Sequence, residues 1–264
     1  MAARVRAGAG KLEAGEVSAM FNRIAGVYDA LNTAMTVGLH HRWRERAVDL
    51  AAVGPGDRVL DVATGTGDLA LALARRVAPG GTVLGSDFAE GMLERARAKA
   101  AARAEGSGAV SFEWGDALEL PYDDASFDAV TVGFGARNFS DLPRGLREMA
   151  RVVRPGGRVV VLEITTPTKA PLSWFYGVWF DRLVPVLGRV VASLTGKVAS
   201  MRGRSADGGG LAEAYTYLPN SVKRWPGPVE LAGAMEAAGL SRVFHVTLAG
   251  GIVAIHTGTV GERA

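Results

Sequence analysis

The 264 residues include 48% hydrophobic and 22% charged side chains, a composition typical of a globular protein with one large core. The formal net charge is only +3 and the basic residues are scattered, so we predict no nucleic-acid partner. The chain has no cysteine, which excludes disulfides and thiolate metal sites, and its four histidines lack metal-ligand spacing, so we predict no metal. Zero cysteines and the lack of an apolar signal segment predict a cytoplasmic protein.

The first elements are predicted as a helical cap over residues 1–50. Residues 15–50 read as two helices around a turn. A buried strand, a glycine-rich turn and a helix follow in VLDVATGTGDLALAL, residues 59–73. Gly65, Gly67 and Ala70 fit the loose dinucleotide fingerprint, and Asp87 lies about 20 residues further on, where a ribose-binding acid belongs. The turn alone therefore leaves NAD as a candidate cofactor.

Short apolar runs then alternate with helical patterns, which predicts an α/β protein with a mostly parallel sheet. Helices are predicted at 91–104 and 142–153, the second stopped by a turn at 155–157, and strands at 82–86, 110–113, 127–132, 158–164, 241–248 and 252–257. Only Ala249, Gly250 and Gly251 separate the last two strands, so these should be an antiparallel pair. Seven strands with this ending are typical of S-adenosylmethionine-dependent methyltransferases and differ from an ordinary dinucleotide-binding sheet.

The sequence indicates one boundary, at residue 50, and no further domain boundary after it. We predict a Rossmann-like methyltransferase domain over residues 51–264, with an inserted helical or loop lid at about 168–227. Within this insertion, residues 171–192 are rich in aromatic and aliphatic side chains, but charged residues interrupt them, so they do not form a membrane span. Residues 200–210 have the composition of a mobile loop.

Several stretches outside the glycine turn carry a family resemblance. YDALNTAMTVGLHHRW, residues 28–43, and REMARVVRPGGRVVVLEITTP, residues 147–167, resemble the two signatures of the ubiquinone/menaquinone biosynthesis C-methyltransferases. GDALELPYDDASFDAVTVGFGARNFSD, AYTYLPNSVKRWP and GGIVAIHTG are also similar to this family. The chain departs from the family in carrying roughly fifteen extra residues between Arg189 and Ala214, and in having Gly133 where many relatives have serine.

The resemblance implies C-methylation of a polyprenylated quinol with S-adenosylmethionine as cofactor, most simply the conversion of demethylmenaquinol to menaquinol. Methylation of the benzoquinol of the ubiquinone route is the alternative. An NAD-dependent oxidoreductase is less well supported, because no catalytic Tyr/Lys or His motif accompanies the fingerprint. A non-catalytic scaffold that binds the cofactor or a membrane is a third hypothesis.

The resemblance also implies which residues bind the cofactor. They are the turn Gly65, Thr66 and Gly67 at the methionine part, Asp87 at the ribose, Asp116 and Ala117 at the adenine, and Gly133 through its backbone. Asp87 has an alternative role as a cap of the helix that begins near Ala89. Asp61 either binds ligand or fixes the turn through hydrogen bonds.

Arg137 and Asn138 follow the fourth strand at the carboxyl edge, where open α/β sheets bind ligands. We predict that they act on the quinol oxygen, Arg137 by stabilising a developing phenolate and Asn138 by one hydrogen bond. The alternative is structural, with Arg137 paired to Asp141 or Glu148 and Asn138 capping the next helix.

The resemblance places the segment with Tyr28 and Asp29 over the active site, as substrate or lid residues. His40 and His41 are further candidate bases. The sequence alone does not show which of these two histidines points inward.

A polyprenyl substrate partitions into lipid, so we expect peripheral membrane contact. Aromatic side chains with basic neighbours predict an interfacial patch formed by Trp174, Phe175, Trp179, Phe180, Arg182 and Arg189. Their alternative role is to cover the sheet or the pocket. The sequence leaves the oligomeric state open, with a homo-oligomer among the possible states.

Overall fold

A computed structural model describes residues 14–103, 108–167, 170, 173–174, 217 and 219–261. Its centre is a seven-stranded sheet in the order β3-β2-β1-β4-β5-β7-β6. The pairs from β3 to β5 are parallel, whereas β7 runs antiparallel to both β5 and β6. This confirms the predicted seven-stranded α/β fold with an antiparallel ending.

The strands are short apolar runs, most of them buried on both faces. They are β1 Arg58–Val62, β2 Thr82–Asp87, β3 Ala109–Trp114, β4 Phe127–Gly133, β5 Val153–Ile164, β6 Leu240–Leu248 and β7 Val253–Val260. The main helices are α1 Ala14–Ile24, α2 Tyr28–Thr36, α3 Leu39–Ala51, α4 Asp68–Val77, α5 Glu90–Ala101, α6 Leu142–Val152 and α7 Pro228–Ala237, and residues 219–224 are also helical. A 3₁₀ turn, Ala136–Asn138, follows β4.

Two layers of helices cover the sheet. Buried side chains of α3, α4 and α5 pack on one face, around Val59, Leu73 and Leu93. Those of α6 and α7 pack on the other face, around Leu146 and Leu231. Every strand of the parallel part therefore ends at an edge flanked by helix termini and loops, which is where open α/β sheets bind ligands.

The N-terminal region differs from its predicted two helices, because it contains three. The helical path is interrupted between α1 and α2. It is interrupted again between α2 and α3, where Val37 and Gly38 have left-handed backbone angles (φ 49° and 74°). The sequence predicted one turn in residues 15–50, and helical periodicity alone does not reveal that there are two breaks. These breaks let α1 and α2 fold over the edge of the sheet.

The predicted turn at residues 155–157 is also corrected. Helix α6 ends at Val152 and β5 begins at once with Val153, so Pro155–Gly157 lie inside the strand. The register between β4 and β5 shifts there, from Phe127 opposite Val153 to Ala129 opposite Arg158. Residues 154–157 have no partner in β4, and Gly156 has a φ of 81°, so the Pro-Gly-Gly sequence forms a bulge inside the strand between the pairs at Val153 and Arg158.

Most of the predicted lid at 168–227 lies outside the described residues, and so do the glycine-rich segment at 200–210 and Phe175, Trp179, Phe180, Arg182 and Arg189 of the predicted interfacial patch. Of that patch the structure describes Trp174, whose side chain is 72% exposed. No helix in the described part of the chain combines the length and the apolar character that crossing a membrane requires.

Candidate active site

The glycine turn connects β1 to α4 at the edge of the sheet. Gly65 and Gly67 both have positive φ, 57° and 83°. A Cβ on Gly65 would meet no atom within 4 Å, whereas one on Gly67 would collide with Phe112 at 2.8 Å. Gly67 is therefore required for packing, and Gly65 presents bare backbone to open space.

Asp87, at the end of β2, holds this turn in place. Its Oδ2 accepts a hydrogen bond from the Gly65 N–H at 2.8 Å, and its Oδ1 accepts one from the Ala89 N–H at 2.9 Å, just before α5. Burial raises the pKa of this carboxyl, although both backbone hydrogen bonds favour the ionised form. The predicted capping contact near Ala89 is present, and the same carboxylate borders a cavity.

Asp61, at the end of β1, is a second buried carboxyl at the turn. It accepts hydrogen bonds from the hydroxyls of Thr64 and Thr131, both at 2.6 Å. Burial raises its pKa to about 6, against the effect of these two hydrogen bonds and of the Arg44 charge. Asp61 thus fixes the turn, and it also lines the same cavity as Asp87.

We call this cavity of about 350 Å³ the acidic cavity. Its size falls in the range of about 300–1,000 Å³ typical of small-molecule sites. Four carboxylates line it, and Arg44 is the one cationic side chain lining it among the described residues; the carboxylates belong to Asp61, Asp68, Asp87 and Asp116. Such a wall favours a ligand with positive charge.

The far end of the acidic cavity is formed after β3. Trp114, Gly115, Asp116 and Ala117 line it, and the Trp114 side chain is 60% exposed. The Asp116 carboxylate accepts a hydrogen bond from the Leu118 N–H at 2.9 Å, which shapes the loop. A flat exposed ring beside a carboxylate and backbone groups suits an aromatic heterocycle.

Gly133, at the end of β4, also lines the acidic cavity. A Cβ at this position would lie 3.0 Å from Leu69 Cδ2, so a larger residue would displace Leu69 by a few tenths of an ångström. The glycine therefore leaves the space to Leu69 and offers only backbone to a ligand. The residues predicted to bind the cofactor after β1, β2, β3 and β4 thus line the acidic cavity, except Gly67, which packs against Phe112 outside its wall.

A polar network ties the cap to the glycine turn. The Asp29 carboxylate of α2 accepts a hydrogen bond from the Thr66 hydroxyl at 2.6 Å and pairs with Lys99 Nζ at 2.6 Å. Lys99, on α5, also donates to Thr66 at 2.9 Å and pairs with Asp68 at 2.6 Å. Within the described residues, Asp29 lies outside the walls of both cavities, and it fixes α2 over the turn.

A second cavity, of about 90 Å³, lies beneath the cap, and we call it the apolar cavity. Met20, Ile24, Leu31, Met35, Trp43 and Ile164 contribute to its walls. Four residues line both cavities and so form their common wall: Phe21, Tyr28, Arg44 and Phe134. Tyr28 thus lies where the two spaces meet, in edge contact with Phe21.

Arg137 lines the apolar cavity and is held by Glu163 of β5. Its Nη1 donates to Glu163 Oε2 at 3.0 Å and to the Phe134 carbonyl, and its backbone N–H donates to Glu163 Oε1 at 3.1 Å. Burial lowers the pKa of Arg137, but the Glu163 carboxylate outweighs it and leaves the pKa raised. Arg137 is therefore a permanent cation, and its buried Nε has no hydrogen-bond partner among the described residues.

Asn138 lines the acidic cavity next to this pair. Its Oδ1 accepts a hydrogen bond from the Tyr217 hydroxyl at 2.9 Å. The partners expected in the structural alternative are wrong: Arg137 pairs with Glu163 instead of Asp141 or Glu148, and the cap of α6 is Asp141, which accepts from the Arg144 N–H at 3.0 Å. Of the predicted catalytic residues, Tyr28 thus lies in the common wall, Arg137 lines the apolar cavity, and its chain neighbour Asn138 lines the acidic cavity.

His40 and His41 point in different directions, which the sequence did not show. His41 is exposed, whereas His40 is 2% exposed and lines the apolar cavity. Arg44 Nη1 donates to His40 Nδ1, so the proton lies on Nε2, 3.2 Å from the Thr33 hydroxyl. Burial, with the Arg44 charge, lowers the pKa of His40 to about 4. His40 is neutral with both nitrogens engaged, which removes it as a base.

His40, His41 and Asp68 also form a cluster whose ligand atoms lie within 4.8 Å of one another. Arg44 occupies His40 Nδ1 and lies 3.6 Å from Asp68 Oδ2. Because the Arg44 guanidinium lies beside both His40 and Asp68, its positive charge opposes the binding of a metal cation there. The residues present therefore do not fit a metal ion.

Sequence reasoning missed four polar residues of the site: Arg44, Lys99, Glu163 and Tyr217. The sequence could have indicated Glu163, because it is the single acid in the apolar run VVVLEI of a buried strand. A buried acid of this kind needs a cationic partner. Lys99 and Arg44 are ordinary basic residues in helical patterns, and only the packing of α3 and α5 brings them to the turn.

Comparisons with known proteins agree with this geometry. The model of the ubiE/COQ5 methyltransferase family matches residues 9–260. The chain is 46% identical to the demethylmenaquinone methyltransferase of Thermus thermophilus, over 90% of this chain and 99% of the relative. It is 39% identical to that of Desulfitobacterium hafniense, over 94% and 91%.

Among solved structures, a SAM-dependent methyltransferase from Aquifex aeolicus shares the fold, with a TM-score of 0.53 and 17% identity over 95% of this chain and 100% of that one. The fold, the edge of the sheet where the cavities meet and the family match over nearly the whole chain point the same way. The chain belongs to the ubiE/COQ5 methyltransferase family.

Proposed function

We propose that the protein transfers the methyl group of S-adenosylmethionine to a ring carbon of a polyprenylated quinol, with demethylmenaquinol as the substrate. One observation carries this proposal: an acidic cavity and an apolar cavity share the wall formed by Phe21, Tyr28, Arg44 and Phe134. A charged cofactor and an apolar ring can then meet at that wall. Both relatives described above are named demethylmenaquinone methyltransferases, which supports the choice of substrate.

The acidic cavity suits S-adenosylmethionine better than NAD. The sulfonium cofactor carries a net positive charge, whereas the pyrophosphate of NAD brings two negative charges to a wall with four carboxylates and one described cation. The bare backbone of Gly65 and Thr66 would lie along the methionine part, Asp87 at the ribose, and Asp116 and Ala117 with the Trp114 ring at the adenine. The bound cofactor supplies an electrophilic methyl group.

The chain's own residues must then activate the quinol. A phenol with a pKa near that of tyrosine, about 10, costs roughly 4 kcal/mol to ionise at pH 7. Arg137 is a buried, permanent cation at the apolar cavity, and Asn138 and Tyr28 stand beside it at the junction. In our proposal a water bound at the site takes the hydroxyl proton, and Arg137 stabilises the phenolate that forms. Asn138 fixes the ring by a hydrogen bond, and Tyr28 closes the wall against bulk water. The methyl carbon would leave sulfur as it bonds to the ring carbon, and the proton of that ring carbon would then be lost to the same water.

Glu163 gives Arg137 a defined position. Nη1 of Arg137 donates to the Glu163 carboxylate, which orients the guanidinium, and the backbone N–H of Arg137 donates to the same carboxylate, which is 1% exposed. Because the pair is neutral as a whole, Arg137 contributes directed hydrogen bonds rather than a free charge. Its Nε has no partner among the described residues and is the donor that a quinol oxygen or a water would use.

We also propose that the protein reaches its substrate from the membrane surface. The apolar tail of a polyprenyl quinol stays in the bilayer, and the exposed Trp174 supports an interfacial contact near the predicted lid. Flotation with anionic liposomes tests this, with the double substitution of Trp174 and Phe175 by serine. Unchanged flotation of a folded double variant would exclude this patch.

Mass spectrometry of quinones tests the function itself. The protein is expressed in a host that lacks its own quinone C-methyltransferase and makes both quinone precursors. We expect methylated menaquinone to appear and the unmethylated form to disappear. Methylation of the ubiquinone precursor alone would show that the substrate is the benzoquinol of the ubiquinone route. Accumulation of both unmethylated precursors would contradict the proposal.

A further inference from the structure

Arg44 occupies a position that none of the predicted roles explains. It lies on α3 of the cap, far in sequence from the glycine turn, yet it is 8% exposed and lines both cavities. Its guanidinium carbon lies 5.6 Å from the centre of the Phe134 ring in the common wall. A buried cation in a small cavity is costly unless its charge is used.

The charges of the acidic cavity identify a use. S-adenosylmethionine has three charged groups: the sulfonium, the α-ammonium and the α-carboxylate. Four carboxylates in the described wall can pair with the two cationic groups of the cofactor. For its α-carboxylate, the described wall offers one cationic side chain, that of Arg44. Without it, the carboxylate would enter a site of its own sign.

Arg44 also has free donors. Both of its polar contacts with described residues use Nη1, the hydrogen bond to His40 and the ion pair to Asp68 at 3.6 Å. Nε and Nη2 form the fork that matches a carboxylate in two parallel hydrogen bonds. His40 is a neutral acceptor that orients the guanidinium without competing for its charge.

On the basis of the proposed cofactor, we propose that Arg44 binds the α-carboxylate of S-adenosylmethionine. Through this contact the cap, and not only the sheet edge, recognises the cofactor. Because Arg44 is also part of the common wall, the amino-acid end of the cofactor is held beside the apolar cavity. Asp61 and Asp68 are then the nearest carboxylates for the ammonium and sulfonium charges.

Calorimetry with two ligands tests this assignment. S-adenosylmethionine and decarboxylated S-adenosylmethionine differ in the α-carboxylate alone. We expect the wild-type protein to bind the first at least tenfold more tightly. In Arg44→Met, which keeps much of the side-chain volume, affinity for S-adenosylmethionine should fall at least tenfold, and affinity for the decarboxylated form should change less than about threefold.

Arg158→Met is the matched control, because Arg158 Nη1 donates to the Leu50 carbonyl at 3.0 Å and so supports the same helix α3 away from the cavities. It should leave the discrimination between the two ligands unchanged. Equal weakening of both ligands by Arg44→Met would show a structural role and overturn the assignment. If Arg44→Met fails to fold, the wild-type protein still tests the assignment, because equal binding of both ligands by the wild type would overturn it.

The result is separate from that of the proposed function. If the wild type binds neither sulfonium ligand, the proposed cofactor is wrong. If it binds both equally, the cofactor stands and Arg44 is not its carboxylate partner. Arg44→Lys should give an intermediate loss for S-adenosylmethionine, because lysine keeps the charge and loses the fork.

Discussion

The two cavities on either side of the common wall differ in their charge. The acidic cavity is built from the ends of β1, β2 and β3, where strands of the sheet place Asp61, Asp87 and Asp116. The apolar cavity is built mainly from α1, α2 and α3 of the cap, and its Arg137 is paired with the buried Glu163. In our proposal the sheet edge attracts the charged cofactor, and the cap encloses an apolar ring and adds Arg44 to the cofactor site.

The largest expected effect concerns the ion pair of the apolar cavity. Glu163→Leu leaves the Arg137 guanidinium buried without its carboxylate, which should lower the free energy of unfolding by about 3–5 kcal/mol. Chemical denaturation measures it. Glu90→Leu is the control, because Glu90 pairs with Arg97 on the surface, where such pairs contribute at most about 1 kcal/mol. Equal losses in the two variants would contradict the distinction between buried and exposed pairs.

The next effect concerns the acidic cavity. Asp87→Ala removes hydrogen bonds to a ligand and to Gly65, and should weaken S-adenosylmethionine binding by about 1.5–3 kcal/mol. Calorimetry measures the dissociation constant, with exposed Asp123→Ala as the control. Micromolar binding of NAD without binding of S-adenosylmethionine would reverse our assignment of this cavity.

Arg137→Lys separates catalysis at the apolar cavity from cofactor binding at the acidic one. Lysine keeps the charge but loses the planar fork, so turnover should fall at least about tenfold, roughly 1.4 kcal/mol of transition-state stabilisation. The dissociation constant of S-adenosylmethionine should stay within about twofold. Arg154→Lys, at a surface pair with Asp128, is the control. Near-normal turnover with reduced thermal stability would assign Arg137 a structural role and direct attention to Tyr28.

The smallest effect is a pH dependence confined to the acidic cavity. The pKa of Asp61 is about 6, so its charge appears as the pH rises through that value. An added carboxylate charge attracts a cationic ligand, and S-adenosylmethionine affinity should rise about threefold between pH 5 and 7.5. In Asp61→Asn this part of the rise should be absent. Identical pH profiles of the wild type and the variant would show that another group titrates.

Much of the fold could be predicted because the strands are short apolar runs with helices between them. The candidate cofactor residues came from the family resemblance, and the structure places Asp87 and Gly133 at the ends of β2 and β4 and Asp116 just beyond β3, along one edge of the sheet. Sequence patterns failed where tertiary pairing decides. Pairs with β4 at Val153 and Arg158 enclose Pro155–Gly157 in a bulge of β5, and the breaks of the cap depend on local backbone angles that periodicity does not record.

The residues that organise the site were the hardest to foresee. Lys99 and Thr66 reach Asp29 across three elements, and Arg44 reaches the acidic cavity from the cap. Neither arrangement has a fixed spacing in the sequence. Glu163 is the exception, because a lone acid in a buried strand already requires a cation nearby.

The strand order has a consequence for how the molecule is assembled. β7 follows β6 along the chain, yet it lies between β5 and β6 in the sheet. Until β7 is inserted, β5 has an unpaired edge beside a run of valines, and β6 has no strand to pair with. Open apolar edges of this kind recruit strands from other chains. A chain in which β7 is detached is therefore prone to aggregate, and efficient insertion of this one strand protects the whole sheet.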